Sequence, residues 1–190
     1  MGITQDEVLA ILRETGTIRE GHFLLTSGRH SDRFLLMAQA LQYPRHTERL
    51  CRALAEPFKG QRVDTVVGPA VGGIILAYEA ARALGARAIF AEKSGEGAMA
   101  LRRGFSLRAG ERVLVVEDAV STGGSVLKVI DLVRATGAVP LGVSIIADRT
   151  AGRLDLGLPL HALVSLDVQS WSPDSCPLCR AGVAVVRPKD

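Results

Sequence analysis

Two adjacent carboxylates, Glu117 and Asp118, are the residues of this sequence best suited to chemistry. They follow the apolar run Val113–Val116, which predicts a buried strand, and neighbouring carboxylates can accept hydrogen bonds from adjacent ribose hydroxyls. Small and hydroxyl-bearing residues come next, and a phosphate dianion is favoured by such hydroxyls, by free backbone N–H groups and by a helix N-terminus. This pattern indicates a sugar-phosphate site built from Glu117, Asp118, Ala119, Val120, Ser121, Thr122, Gly123, Gly124 and Ser125. An ordinary strand-to-helix turn with two solvated acids is the alternative.

A second glycine-rich segment, residues 68–73, follows the apolar run Val63–Val67 and precedes a helical pattern. Its backbone N–H groups and the helix behind it make this segment another candidate for binding an anion. The alternative is a glycine-rich turn that serves packing alone. The candidate residues are Ala70, Val71, Gly72 and Gly73.

A long segment, residues 91–105, contains three glycines and three cations, Lys93, Arg102 and Arg103. Connections of this length are usually lids or disordered segments. A closing lid excludes water, and its cations can stabilise negative charge that develops on a departing group. The alternative is a solvated, disordered basic loop.

A fourth segment places Asp148 and Arg149 directly after an apolar run. The planar guanidinium of arginine matches the geometry of a carboxylate, so Arg149 is a candidate for binding an acidic group of a ligand. A surface ion pair with some acid of the protein is the alternative.

The elements that must position these segments alternate between strand and helix. A capping box at Thr4 and Glu7 starts a helix that ends near Gly16, and a second helix is expected from Pro44 to about Phe58. Short strands are expected between them, over residues 17–37. The later elements are Val63–Val67, Gly72–Leu84, Arg87–Ala91, Arg112–Val116, Ser125–Thr136 and Val139–Ala147. This alternation predicts a parallel sheet covered on both faces, with ligands beyond the carboxyl ends of its strands, where all four segments lie.

Composition limits the classes of protein to which the chain can belong. Its 190 residues, 47% apolar, suit one domain with a substantial core. No apolar run approaches the roughly 18 residues of a membrane span, and no signal peptide is apparent. Three cysteines, an odd number, favour the reducing cytoplasm. The net charge of +3 fits an anionic substrate and does not indicate nucleic acid as a partner.

Residues 113–125 resemble the phosphoribosyl-pyrophosphate (PRPP) signature of type I phosphoribosyltransferases, in which apolar residues precede two acids and then small and hydroxyl-bearing residues. A P-loop NTPase is set aside because G-x-x-x-x-G-K-[ST] does not occur. The resemblance implies the α/β fold of that family, with a central, mostly parallel sheet flanked by helices, an N-terminal hood subdomain and a mobile lid loop. It implies one domain, 1–190, with a hood segment (1–42), a core (43–170) and a tail (171–190).

Further segments resemble the orotate phosphoribosyltransferases. Residues 21–34 are similar to that family's N-terminal Phe-x-Leu-x-Ser-Gly element, and Asp148-Arg149 match the position that contacts the orotate carboxylate. Leu101–Phe105 and Cys176–Cys179 recur in one branch of the family. The resemblance implies transfer of the phosphoribosyl group of PRPP to orotate, which gives orotidine 5′-monophosphate and pyrophosphate in pyrimidine synthesis. It also implies Mg²⁺ as cofactor and a cytoplasmic homodimer.

The same resemblance implies a role for each segment. Glu117 and Asp118 would hold the ribose, residues 119–125 the 5′-phosphate and residues 70–73 the pyrophosphate. Mg²⁺ would be held mostly by PRPP and water, so no protein ligand is expected. The implied catalytic residues are Lys93, Arg102, Arg103 and Asp118, and the implied orotate contacts are Ser121, Arg149, Ser27, Gly28 and Phe34.

The sequence departs from the family in two places. Thr26 stands where many members have lysine, and the lid has Glu92-Lys93 but lacks a later Lys-x-His. Lys93 is therefore the best match for the lid cation. Two rival functions remain: a purine or uracil phosphoribosyltransferase, which would not need Arg149, and a non-enzymatic PRPP-sensing regulator. A regulator that binds nucleic acid should carry a helix-turn-helix or a strongly basic face, and the sequence indicates neither.

Cys176-x-x-Cys179 is half of a zinc-ribbon pattern. Because Cys51 is the only other cysteine, a metal site would need a second chain or a histidine, for which His161 is the candidate. A redox pair and structural thiols are the alternatives. The other histidines, His22, His30 and His46, flank N-terminal turns; His30 could approach the substrate, but surface positions are expected.

Overall fold

The computed structural model describes residues 2–25 and 27–188 and confirms the alternation of strands and helices. None of the helices in those two ranges combines the length and apolar character that crossing a bilayer requires. The helices are α1 (Gln5–Glu14), α2 (Ala38–Leu41), α3 (Pro44–Ala55), α4 (Gly72–Leu84), α5 (Gly124–Ala135) and α6 (Pro177–Arg180). The strands are β1 (Ile18–Leu24), β2 (His30–Leu35), β3 (Thr65–Pro69), β4 (Arg87–Lys93), β5 (Met99–Leu101), β6 (Arg112–Val120), β7 (Val139–Asp148), β8 (Leu160–Ser165) and β9 (Ser170–Trp171).

A six-stranded sheet lies at the centre of the molecule, in the order β5-β4-β3-β6-β7-β8. All neighbouring strands are parallel except the edge strand β5, which runs antiparallel to β4. The expected mostly parallel sheet is therefore confirmed. Strands β3, β6 and β7 are adjacent, so the segments that follow them meet at one edge of the sheet.

Alternating side chains of the central strands pack on opposite faces of the sheet. On one face, Val66, Leu114 and Val116 contact apolar residues of α1, α3 and α4. On the other face, Val113 and Val115 pack against α5. Both faces are covered, which explains why these strands are almost continuously apolar.

A smaller antiparallel sheet, β1-β2-β9, forms the hood. Its third strand comes from residues 170–171, so the end of the chain returns to its beginning. The tail also runs beside β1: Leu24 N–H donates to the Val186 carbonyl at 2.9 Å, and Val186 N–H donates to the His22 carbonyl at 2.8 Å. The hood is thus built from both ends of the sequence.

One strand is longer than expected. Strand β6 continues past Val116 to Val120, because β7 still offers pairing partners, Ala147 opposite Ala119 and Asp148 opposite Val120. The loop before α5 is correspondingly short. The sequence predicts a long loop over residues 92–110 with room for hairpin strands, and the structure contains such a hairpin, formed by β4 and β5 with a 3-10 turn at Gly95–Gly97.

Candidate active site

The acid doublet, Glu117 and Asp118, lies against the glycine-rich segment 68–73. A Cβ atom placed on Gly72 would overlap the Asp118 carboxylate, so a larger residue here would require that carboxylate to move. Ala70 N–H donates to the Ala91 carbonyl of β4 at 2.7 Å, which fixes the segment between β3 and α4. The structure therefore brings residues 70–73 and the doublet together, as the sequence analysis expects.

Burial changes the acidity of both carboxylates. It raises the pKa of Glu117 to about 8, and the neighbouring Asp118 carboxylate adds to that rise. Burial also raises the pKa of Asp118, although backbone N–H donors, among them Ala119 N–H at 2.5 Å from Oδ1, oppose the shift. A ligand that offers hydroxyl donors and positive charge would let both groups ionise, so the doublet is suited to a polyhydroxylated, cation-bearing ligand.

The loop after β6 forms a small cavity of about 80 Å³, lined by Glu117 and residues 119–126. Gly123 precedes α5 with a φ of +79°, a conformation that glycine adopts readily. No side chain of the described residues caps the start of α5, and its first turn contains no acid. The N–H groups of this turn therefore remain available for an anion. The cavity and its donors have the character of a phosphate site.

We call the small cavity lined by Glu117 and residues 119–126 the phosphate cradle. A larger cavity of about 1330 Å³ adjoins it and shares Ser121 and Thr122 with it. Residues from the hood line its other side, so the phosphate cradle and the hood face one space. All five implied orotate contacts line this cavity: Ser27, Gly28, Phe34, Ser121 and Arg149. Thr26 lies outside the described residues.

Arg149 enters the large cavity without a bond to its neighbour Asp148. The Asp148 carboxylate instead accepts hydrogen bonds of 2.7 Å from Thr150 N–H, the Thr150 hydroxyl and Gly152 N–H. Burial alone would raise the pKa of Asp148, but these bonds outweigh it and hold the pKa below its usual value. Asp148 therefore shapes the turn that carries Arg149.

The Arg149 side chain is half-buried, and its hydrogen bonding is incomplete. Its Nε is buried and has no hydrogen-bond partner among the described residues, and burial lowers the pKa of the guanidinium. A buried donor without a partner is costly, so a carboxylate in the cavity would be a favourable partner.

The three lid cations are placed differently from one another. Arg103 donates to Glu92 from Nε at 3.0 Å and from a terminal nitrogen at 2.9 Å, and its guanidinium lies 5.8 Å from the centre of the Phe90 ring. Lys93 and Arg102 are exposed. None of the three lines either of the cavities described above. Lys93 nevertheless ends β4, two residues after Ala91, which contacts the loop 70–73.

Several residues that line the large cavity are not predicted by the sequence analysis. Cationic ones come from three separate regions of the chain: Arg29, Arg153 and Arg187. Arg29 could have been predicted, because it directly follows Ser27 and Gly28, which the sequence analysis already assigns to the site. The other two occupy turn-rich segments without periodicity, where the sequence gives no indication of position.

Comparison with known proteins identifies the family to which these features belong. The model of the phosphoribosyl transferase domain matches residues 42–156. An orotate phosphoribosyltransferase of Caldanaerobacter subterraneus is 51% identical over 184 residues, which cover 97% of this chain and 96% of that protein.

Solved structures share the fold. The crystal structure of an orotate phosphoribosyltransferase from Aeropyrum pernix matches with a TM-score of 0.70 and 26% identity, over 84% of this chain and 93% of that one. An adenine phosphoribosyltransferase from Rhodothermus marinus matches with a TM-score of 0.66 and 24% identity, over 83% of this chain and 99% of that one, and supports the fold alone. By its motifs, its sheet and its similarity along nearly its full length, the chain belongs to the orotate phosphoribosyltransferase family.

Proposed function

We propose that this chain transfers the phosphoribosyl group of PRPP to orotate and releases pyrophosphate, a step of pyrimidine nucleotide synthesis. The half-buried Arg149 carries the proposal, because its buried Nε lacks a hydrogen-bond partner among the described residues and it lines the cavity that adjoins the phosphate cradle. Orotate has a carboxylate that would complete this arginine's hydrogen bonding.

The proposed reaction assigns one task to each segment of the site. Glu117 and Asp118 accept hydrogen bonds from the ribose hydroxyls, and the cradle at the start of α5 binds the 5′-phosphate. Residues 70–73, held against Asp118, contact the pyrophosphate. The bond between the anomeric carbon and the pyrophosphate oxygen breaks, and the electron pair leaves with pyrophosphate. Orotate nitrogen bonds to that carbon, and the proton of this nitrogen passes to water. A lid cation stabilises that charge.

Magnesium is part of the proposal. Mg²⁺ commonly remains bound to substrate phosphates and water, so PRPP and water would supply most of its ligands, and the negative charge of the Glu117–Asp118 doublet would favour a cation nearby. When bound with PRPP, Mg²⁺ would neutralise part of the pyrophosphate charge. The raised pKa values of the doublet support a site completed by a cation.

A homodimer in the cytoplasm completes the proposal. An apolar stripe is exposed beside the pyrophosphate loop, with exposed fractions of 81% at Val71, 46% at Ile75 and 65% at Tyr78. A second copy of the chain that covered this stripe would bring its own residues next to the reaction site. The odd number of cysteines supports a reducing compartment.

A panel of bases tests the choice of substrate. The purified chain is incubated with PRPP and Mg²⁺ and with orotate, uracil, adenine or xanthine, and nucleotide formation is measured by chromatography. We expect product with orotate that depends on PRPP. Turnover with adenine, xanthine or uracil and none with orotate would contradict the proposal.

A further inference from the structure

Four side chains from both ends of the chain converge beneath the hood: His22, His30, Cys176 and Cys179. Each directs one nitrogen or sulfur atom into the group, and these four atoms all lie within 4.8 Å of one another. His22 and His30 are 2% and 7% exposed, and Cys176 is fully buried. This corrects the expectation of surface positions for His22 and His30. His30 does not line the substrate cavities either.

The distances between these atoms match the edges of a small tetrahedron. His22 Nε2 lies 3.4 Å from Cys176 Sγ and 3.7 Å from Cys179 Sγ, and His30 Nδ1 lies 3.2 Å from Cys179 Sγ. For tetrahedral Zn²⁺, with bonds of about 2.0 Å to nitrogen and about 2.3 Å to sulfur, ligand atoms should be separated by roughly 3.3–3.8 Å. Two distances are shorter than this range: the 3.2 Å between His30 Nδ1 and Cys179 Sγ, and the 2.8 Å between His22 Nε2 and His30 Nδ1, which is a hydrogen-bond distance.

A backbone contact orients one of the histidines for metal binding. His22 Nδ1 lies 2.7 Å from the Val183 carbonyl, which can only accept a hydrogen bond. Nδ1 therefore carries a proton, and the neutral ring directs the lone pair of Nε2 towards the other three residues. Metal-binding histidines commonly make such a bond with their second nitrogen.

We propose that His22, His30, Cys176 and Cys179 bind one Zn²⁺ in a structural site. Two sulfur and two nitrogen ligands in tetrahedral arrangement are typical of zinc, and four protein ligands leave no position for a reacting water. On binding, the two thiols each release a proton, and the His30 proton moves from Nδ1 to Nε2 so that Nδ1 can bind the ion. The sequence analysis named a second chain or His161 as the source of the remaining ligands, whereas the structure supplies them from His22 and His30.

The site would fasten the hood to the tail. His22 and His30 enclose residues 23–29, and Leu24, Gly28 and Arg29 of that segment line the large cavity. The two cysteines precede residues 183–188, and Arg187 and Pro188 line the same cavity. Zinc would therefore hold two segments of the cavity wall together without taking part in the transfer of the phosphoribosyl group. Its binding is independent of the proposed function.

Metal analysis of the purified full chain tests the proposal without an activity assay. After dialysis against zinc and then against metal-free buffer, we expect about one Zn²⁺ per chain by mass spectrometry of the elements. Replacement by Co²⁺ should give the thiolate-to-cobalt charge-transfer band and the visible absorption of tetrahedral cobalt. Millimolar Mg²⁺ should not displace the zinc, because Mg²⁺ prefers oxygen ligands.

Matched variants assign the ligands. We expect C179S and the double variant C176S/C179S to lower the retained zinc about tenfold or more, since each removes a thiolate ligand. C51S and H46Q, which change residues outside the group, should keep the wild-type content. C179S is the more informative variant, because Cys179 is exposed and its replacement leaves the core intact.

Three results would overturn the proposal: wild-type protein that retains no zinc, variants that retain as much as the wild type, or a disulfide between Cys176 and Cys179 in protein purified under reducing conditions. If the double variant does not fold, the cobalt spectrum of the wild type decides, since an octahedral spectrum without a thiolate band contradicts the site.

Discussion

In the proposed function, single residues select the base and bind the sugar. Arg149 is held by a turn that Asp148 stabilises through three hydrogen bonds, so the arginine side chain itself is left for a ligand. Glu117 and Asp118 are held in an environment that disfavours their charge, which a bound sugar phosphate and its cation would reverse. Substitutions at these positions should therefore change substrate binding in separable ways.

Replacing Arg149 should weaken orotate binding selectively. We expect R149A to raise the KM for orotate at least about 30-fold, because a charge-assisted contact contributes on the order of 2–4 kcal/mol. The KM for PRPP should stay close to the wild-type value. R134A, at an exposed position at the end of α5, is the matched control. Unchanged orotate kinetics in R149A would show that another residue binds the carboxylate.

The buried Glu117 should make the stability of the ligand-free protein depend on pH. Its pKa rises from 4.5 to about 8 on folding, so its contribution to stability is complete below about 4.5 and is lost as the pH rises through about 8. Above about pH 8 we expect the free energy of unfolding of E117Q to exceed that of the wild type by about 2–4 kcal/mol. The free energy of unfolding of E117Q should also change less with pH.

Urea unfolding at a series of pH values measures this effect. E56Q removes an exposed carboxylate and serves as the control. If the free energy of unfolding depended on pH in the same way for the wild type and E117Q, ionisation of Glu117 would not destabilise the folded state, and the prediction would be wrong.

At the scale of elements, the cations of the lid hairpin differ in whether an acid of the protein already pairs with them. Arg103 is paired with Glu92, whereas Lys93 ends β4 beside the strand that carries the pyrophosphate loop. This placement favours Lys93 as the cation that acts on the departing pyrophosphate when the lid moves.

Lys93 should affect the rate more than binding. We expect K93A to lower kcat about tenfold to 100-fold with little change in either KM, because a group that stabilises only the developing charge acts in the transition state. Steady-state kinetics of K93A and of K59A, an exposed lysine after α3, provide the comparison. If kcat of K93A equals that of the wild type, the role passes to Arg102 or Arg103.

The elements predicted best are those whose signals are local. The capping box of α1 and the bounds of α4 follow from neighbouring residues, and both are confirmed. Strand β6 was expected to end too early, since its last residues are paired only because β7 lies beside them. Strand β8, which ends the sheet, follows a turn-rich segment and was not predicted at all.

The candidate site also contains residues that local sequence signals predict and residues that they do not. Its loops were predicted because each follows an apolar strand of a parallel sheet. The burial of His22 could not be predicted, because its partner Cys176 lies 154 positions away in the sequence. The division of the chain at residues 42 and 170 stays a prediction.

At the scale of the whole molecule, Val71, Ile75 and Tyr78 form an exposed apolar stripe at the start of α4. We expect Y78E to convert a dimer into a monomer, because it places a charge in an apolar interface. Light scattering after size-exclusion chromatography measures the mass, and L127E, on an exposed position of α5, is the control. A monomeric wild type, or a dimeric Y78E, would contradict this interface.

The binding of PRPP tests the central claim most directly, because every other step requires it. Isothermal titration calorimetry of the full chain with PRPP and Mg²⁺ should show about one site per chain, and D118N should bind more weakly by about tenfold or more. Titration of the wild type without measurable heat, and without protection of the protein against thermal unfolding, would contradict a sugar-phosphate site at the acid doublet.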